Sequence, residues 1–214
     1  MKKDKLFYGL PLYFFSLLFL QLILVNLVNP EKILAYSLGL IMIYLIVLFI
    51  FILINKDDLK VMLKDFKQHY RKYLKTGLIY WLFGFALMLI TNYVINFIVF
   101  KGGIAPNEEL VRNDLTKYLF AYFIINSFLA PFLEELVFRL NFKTIKNKYL
   151  YLFITSFIFA LMHILGDIKN FIYVVPYLVL GLTFGLCYYK TQNIYTSVII
   201  HILHNTLVCL LLIF

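Results

Sequence analysis

The stretch FLAPFLEELVFRLNF, residues 128–142, sets two adjacent carboxylates, Glu134 and Glu135, and then Arg139 between long apolar runs. An ionised side chain at the centre of a bilayer costs about 3 kcal/mol on insertion scales, so these groups must be used or neutralised. Helix geometry separates the two acids. Glu135 and Arg139 are four residues apart and share a face, where they can pair. Glu134 lies about 100° round the helix and has no such partner on its own segment. The expectation is that Arg139 neutralises Glu135 and holds the helix, while Glu134 is left for chemistry as a buried general base. The plainer alternative is that both acids brace a helix end, with Pro131 kinking the helix and admitting water.

Few other ionisable groups lie at depth. His163 ends FALMH, with Phe159 four residues earlier on the same face. In HILHN, His201 and Asn205 are also four apart, with His204 on the adjoining flank. An imidazole and a carboxamide on one face can donate hydrogen bonds to an oxyanion, or simply join two helices. Counted from the nearest basic loop at about 1.5 Å per residue, Glu134, His201 and His163 lie roughly 13, 16 and 22 Å deep, which makes His163 the outlier.

The elements that must position these groups are read from composition. Of 214 residues, 63% are hydrophobic, 19% aromatic and only 14% charged, and the mean hydropathy is +0.88. Soluble domains carry about 25% charged residues, so a soluble fold is excluded. The fold class expected is an all-α, polytopic membrane helix bundle of about seven spans. The spans fall near 7–29, 33–54, 77–100, 117–140, 149–165, 171–189 and 194–214. The basic start and long apolar run at the N-terminus read as a first span rather than a cleaved signal. Segment 55–76 spaces apolar residues among seven cations and reads as an amphipathic helix on the membrane surface. Residues 101–114 read as an external loop.

The formal charge of +9 sits in short segments flanking the spans, which suits membrane lipid headgroups and gives no nucleic-acid domain. With a cytoplasmic N-terminus, 15 of the 20 cations, Arg139 included, fall inside, a positive-inside bias. Cys187 and Cys209 lie in apolar runs without disulfide or metal spacing. Ser127, Ser156 and Ser197 lack the Gly-x-Ser-x-Gly context of a nucleophile, and Asp167 has no second membrane aspartate to work with.

EELVFR (134–139), FALMH (159–163) and HILHN (201–205) resemble, in order, the EExxxR, FxxxH and HxxxN/B motifs of the CPBP family. These are the CAAX proteases, including prenyl-protein endopeptidases, and the bacteriocin-processing Abi proteins. The resemblance covers residues 117–214, which would form the catalytic core, with 1–116 supplying N-terminal helices. It implies an intramembrane glutamate-type protease with no metal or other cofactor. By position, Glu134 and His163 would activate a water for attack on a peptide carbonyl. His201 and Asn205 would stabilise the oxyanion, and Glu135, Arg139 and Phe159 would support the site. His204 matches no motif position.

The partner implied is a peptide or protein substrate, lipidated or not; a hydrophobic, leader or signalling peptide suits the composition of a bacterial plasma-membrane protein. The alternatives are a non-catalytic scaffold or bacteriocin immunity protein, and a zinc-dependent protease, although no HExxH is present. In GLTFG, glycines 181 and 185 would allow close helix packing, within the fold or between copies.

Overall fold

A computed structural model describes residues 6–99, 106–165 and 168–213. Lys2, Lys3, Lys5, Lys101 and Asp167, and residues 101–105 of the expected external loop, lie outside them. Among the described residues, each apolar run predicted to span forms helix over most of its length, and there is no strand.

Helix α1, Leu6–Leu27, leads into α2, Ile33–Val94, which runs unbroken for 62 residues and continues into a π-helical turn, Ile95–Val99. The expected second and third spans are therefore two arms of one helix. Segment 55–76 is helical as expected, but it is continuous with both neighbours rather than a separate element. The reason is local: those residues contain no Pro or Gly to break the helix. If α2 were straight, Tyr44 and Met88 would stand about 66 Å apart. Both line the same cavity, so the helix bends round the bundle.

The middle of α2 is held against the turn between α7 (Val174–Thr191) and α8 (Ile194–Ile213). The Asn193 amide donates to the Met62 carbonyl at 2.7 Å and to Asp65 at 2.8 Å, and the Tyr195 hydroxyl donates to the Leu59 carbonyl at 3.3 Å. Gln192 adopts φ 52° to end α7, the left-handed conformation that commonly closes a helix.

Part of the expected external loop is a helix, α3, Pro106–Lys117. In the sequence, Pro106 is a residue type that commonly opens a helix. The acidic span follows as α4 (Leu119–Ile124), a π-turn (Ile125–Leu129), α5 (Ala130–Glu135) and a second π-turn (Leu136–Leu140). Pro131 lacks the N–H an α-helix would use, and the wide turn just before it absorbs the loss without breaking the span. Helix α6, Lys148–Ile164, is capped by Asn147, whose side chain accepts from the Leu150 N–H at 3.0 Å.

Among the described residues, five helical stretches are long and apolar enough to cross a membrane: Tyr8–Leu27, Ile33–Phe97, Leu119–Leu140, Phe171–Thr191 and Ile194–Ile213. α6, with 17 residues, is shorter. The chain is an integral membrane protein. One apolar cluster joins Tyr13 and Phe51 to Leu133, Phe184 and Ile200, so the early helices pack into the same core as the later ones. Gly181 serves that packing: a Cβ there would meet the Ser156 Cα and carbonyl oxygen, each at 2.9 Å. α7 thus lies backbone-close on α6.

Candidate active site

A cavity of about 320 Å³ lies among α1, α2, the acidic span and helices α6 to α8. Glu134 from α5, Phe159 and His163 from α6, and His201 and Asn205 from α8 all line it. The four residues nominated for chemistry therefore share one space, His163 included, despite its greater depth by count. Glu135 and Arg139 do not line it. They lie behind the wall, both fully buried.

The expected pairing of Arg139 with Glu135 is present. Arg139 Nε donates to Glu135 Oε2 at 3.1 Å, and its Nη2 donates to the Gly181 carbonyl at 3.1 Å. Its guanidinium also lies 5.7 Å from the centre of the Phe159 ring, a cation–π arrangement. Arg139 is thus part of the buried core, not a cation of a cytoplasmic segment. Ser197 Oγ donates to Glu135 Oε2, and His201 Nδ1 lies 3.1 Å from Glu135 Oε1. Glu134 has no such set: among the described residues its Oε2 lacks a hydrogen-bonding partner and faces His201 Nε2 across 3.8 Å. That gap is longer than a direct hydrogen bond and suits a bridging water.

Partner chemistry assigns the imidazole protons. A carboxylate only accepts, so His201 carries a proton on Nδ1 and turns Nε2 toward Glu134. The His201 ring is fixed by stacking on Phe184, with centroids 4.0 Å apart and planes 18° apart. His163 Nδ1 lies 2.8 Å from the Phe159 carbonyl one turn earlier. It too is protonated there, leaving Nε2 as a proton acceptor. Its ring stacks on Tyr177 at 4.9 Å and contacts Phe159 at 4.3 Å. Phe159 therefore orients His163 through its carbonyl and ring, and also touches His201 at 5.7 Å. Asn205 donates one amide hydrogen to the Asn126 carbonyl in the first π-turn, at 2.9 Å, and keeps a second.

Among the described residues, no three His, Cys, Asp or Glu side chains are grouped to hold a metal ion. Cys187 and Cys209 are free thiols, both buried.

Residues 116–207 match the family model described as type II CAAX prenyl endopeptidase Rce1-like. The chain is 31% identical over 154 residues to UPF0177 protein YaiF of Lactococcus lactis, covering 66% of this chain and 67% of that protein. It is 32% identical to UPF0177 protein YxdF of the same species, covering 58% of this chain and 71% of that protein. The chain belongs to the Rce1-like CPBP family. It is also 27% identical to YdiL of Bacillus subtilis, a protein named as a candidate membrane peptidase, over 60% of this chain and 53% of YdiL. No solved structure matches significantly. Family membership makes this chain a CAAX-protease-like membrane peptidase.

Sequence reasoning did not nominate several residues of the site. Ser197, which holds Glu135, sits four residues before His201 on the same helix face, so the spacing that paired His201 with Asn205 would have found it. Tyr13, Tyr44, Met88, Asn92 and Asn126 line the cavity from elsewhere in the chain. No local pattern marks them, because tertiary packing alone brings them there.

Proposed function

We propose that the protein is an intramembrane endopeptidase in which Glu134 activates a water molecule against a peptide carbonyl. One observation carries the reading: of two neighbouring acids, Glu135 is tied to Arg139, Ser197 and His201, while Glu134 fronts the cavity without a cation of its own. In the first step, Glu134, assisted by His163 Nε2, takes a proton from water as the water oxygen bonds to the carbonyl carbon. The carbonyl π electrons move onto its oxygen, and Asn205 and His201 hydrogen-bond that oxyanion. His201 does so after taking a second proton from solvent onto Nε2 before the reaction, a charge that Glu135 offsets and that His201 keeps throughout. In the second step the oxyanion electrons re-form the carbonyl and the C–N bond breaks. The departing nitrogen takes the proton held on Glu134, so the sum is hydrolysis by one water.

No metal is required by this scheme. The bundle excludes bulk water while the cavity admits single molecules. The substrate is an apolar leader or signalling peptide, lipidated or not, in a bacterial plasma membrane, with the N-terminus of the protease cytoplasmic. Residues 117–214 supply the reacting groups, and 1–116 complete the cavity wall.

Mass spectrometry of peptides released by cells carrying the wild-type protein or Glu134→Ala tests the reading and names the substrate together. One or more cleaved peptides should vanish in the variant. If the released peptides are the same while the variant is present at wild-type levels, the protein is a scaffold or immunity factor and the proposal fails. Activity of the purified protein that is lost to a chelator and restored by zinc would instead make it a zinc enzyme.

A further inference from the structure

Three histidines line the cavity, and the scheme above uses only two of them. His204 is 3% exposed, sits beside Asn205 on α8, and matches none of the motif positions. Its one assigned hydrogen bond comes from another helix: Trp81 Nε1 on α2 donates to His204 Nδ1 at 3.4 Å. An indole nitrogen can only donate, so Nδ1 must be the accepting nitrogen. The ring is then neutral and carries its proton on Nε2.

This sets His204 apart from the other two. His163 and His201 each spend Nδ1–H on an oxygen acceptor and keep Nε2 as an acceptor in the neutral ring. His201 can donate from Nε2 only after gaining a second proton, whereas the neutral His204 ring carries a donor on Nε2 as it stands. Its orientation is fixed on both sides. Phe85 meets it edge to face at 5.6 Å and 77°, and Phe184 does so at 5.8 Å and 66°. Phe184 carries His201 stacked on its face, so one aromatic ring spaces the two imidazoles.

We propose that His204 is a further catalytic residue, donating from Nε2–H to the carbonyl oxygen as it becomes an oxyanion, with Trp81 as the positioning residue that fixes its tautomer. The inference rests on the peptidase reading. A neutral donor supplies stabilisation with no extra charge to bury, which suits a cavity lined by Glu134 with the Glu135–Arg139 pair behind its wall. No bond is made or broken by His204 in this role. The bland alternative is that His204 is only packing within the cage of Trp81, Phe85 and Phe184.

The test uses the full-length protein in proteoliposomes and a pool of internally quenched apolar peptides, with fluorophore and quencher at opposite ends. His204→Leu keeps apolar bulk and removes the donor. Its kcat should fall about 100-fold, the usual loss for one oxyanion donor, with KM nearly unchanged. His204→Gln can both accept from Trp81 and donate to substrate, so it should keep most of the wild-type kcat. Trp81→Phe keeps the ring and removes the N–H, and should lower kcat about 10-fold through the loosened tautomer.

A His204→Leu protein that folds and turns over like wild type overturns the inference, as does an equal loss in His204→Gln and His204→Leu. Should His204→Leu fail to fold, Trp81→Phe decides, and an unchanged kcat there refutes the role. A wild-type protein that cuts nothing in the pool counts against the peptidase reading itself, and so is told apart from failure of His204.

Discussion

The buried Glu135–Arg139 pair can be tested by a double-mutant cycle. Glu135→Gln leaves a guanidinium that is fully buried, facing a neutral amide, the Gly181 carbonyl and the face of Phe159 instead of its carboxylate. Removing one partner of a buried pair typically costs about 3–5 kcal/mol, because the other charge stays uncompensated. Arg139→Met leaves the Glu135 carboxylate, which still accepts from Ser197 and His201. Its cost should lie near the lower end, about 3 kcal/mol. Additive effects would bring the double variant to about 7 kcal/mol.

The double variant buries no unpaired charge, and a neutral pair of similar volume is often tolerated. We therefore expect it to lose only about 2 kcal/mol, a coupling of about 5 kcal/mol in favour of the pair. Trp81 is the single tryptophan, so its fluorescence during SDS unfolding in mixed micelles reports folding without a label. The double variant should regain stability but not turnover, since a glutamine cannot offset an imidazolium at His201. Coupling below about 0.5 kcal/mol would refute the assignment of the pair as one electrostatic unit.

Other outcomes are expected. Glu134→Gln should lower turnover roughly 1,000-fold, with SDS unfolding unchanged, because Glu134 Oε2 has no protein partner to lose. Gly181→Ala should destabilise by about 2 kcal/mol through overpacking against Ser156, read by the same unfolding assay. Asn193→Ala removes the hydrogen bonds to Met62 and Asp65. Hydrogen exchange should then quicken in α2 around residues 59–66, more than in its membrane arms. Metal chelators should leave turnover of the purified protein unchanged, measured on the quenched peptide pool.

How far the sequence could be read depends on whether an interaction is local. The i,i+4 rule separated Glu134 from Glu135 and placed Arg139 correctly, because both partners share one helix. The apolar runs gave the helical segments for the same reason. Segment 55–76 is helical as expected, and its continuity with both neighbours follows from the absence of breakers: a basic stretch without Pro or Gly continues a helix whatever its polarity. In α3, Pro106 and the acids behind it are sequence start signals that outweigh the loop-like composition of 101–114. The contacts of Asn205 with Asn126 and of His204 with Trp81 span 79 and 123 residues. Nothing in a sequence window encodes such partners. The two glycines of GLTFG resolve toward the fold: Gly181 and Gly185 both face α6, against Ser156 and Leu152.

The wide turns Ile125–Leu129 and Leu136–Leu140 bracket the acidic pair on either side. Each accommodates a residue beyond what an α-turn holds, and one residue amounts to about 100° of azimuth. That is also the angle between the two glutamates. Which acid faces the void and which is anchored in the interior is therefore a matter of rotational phase, since the two side chains are chemically alike. A one-residue slip in this span would swing Glu135 into the vacancy left by Glu134 and carry Arg139 round with it, so chain length between the flanking coils is constrained as tightly as the identity of the acids.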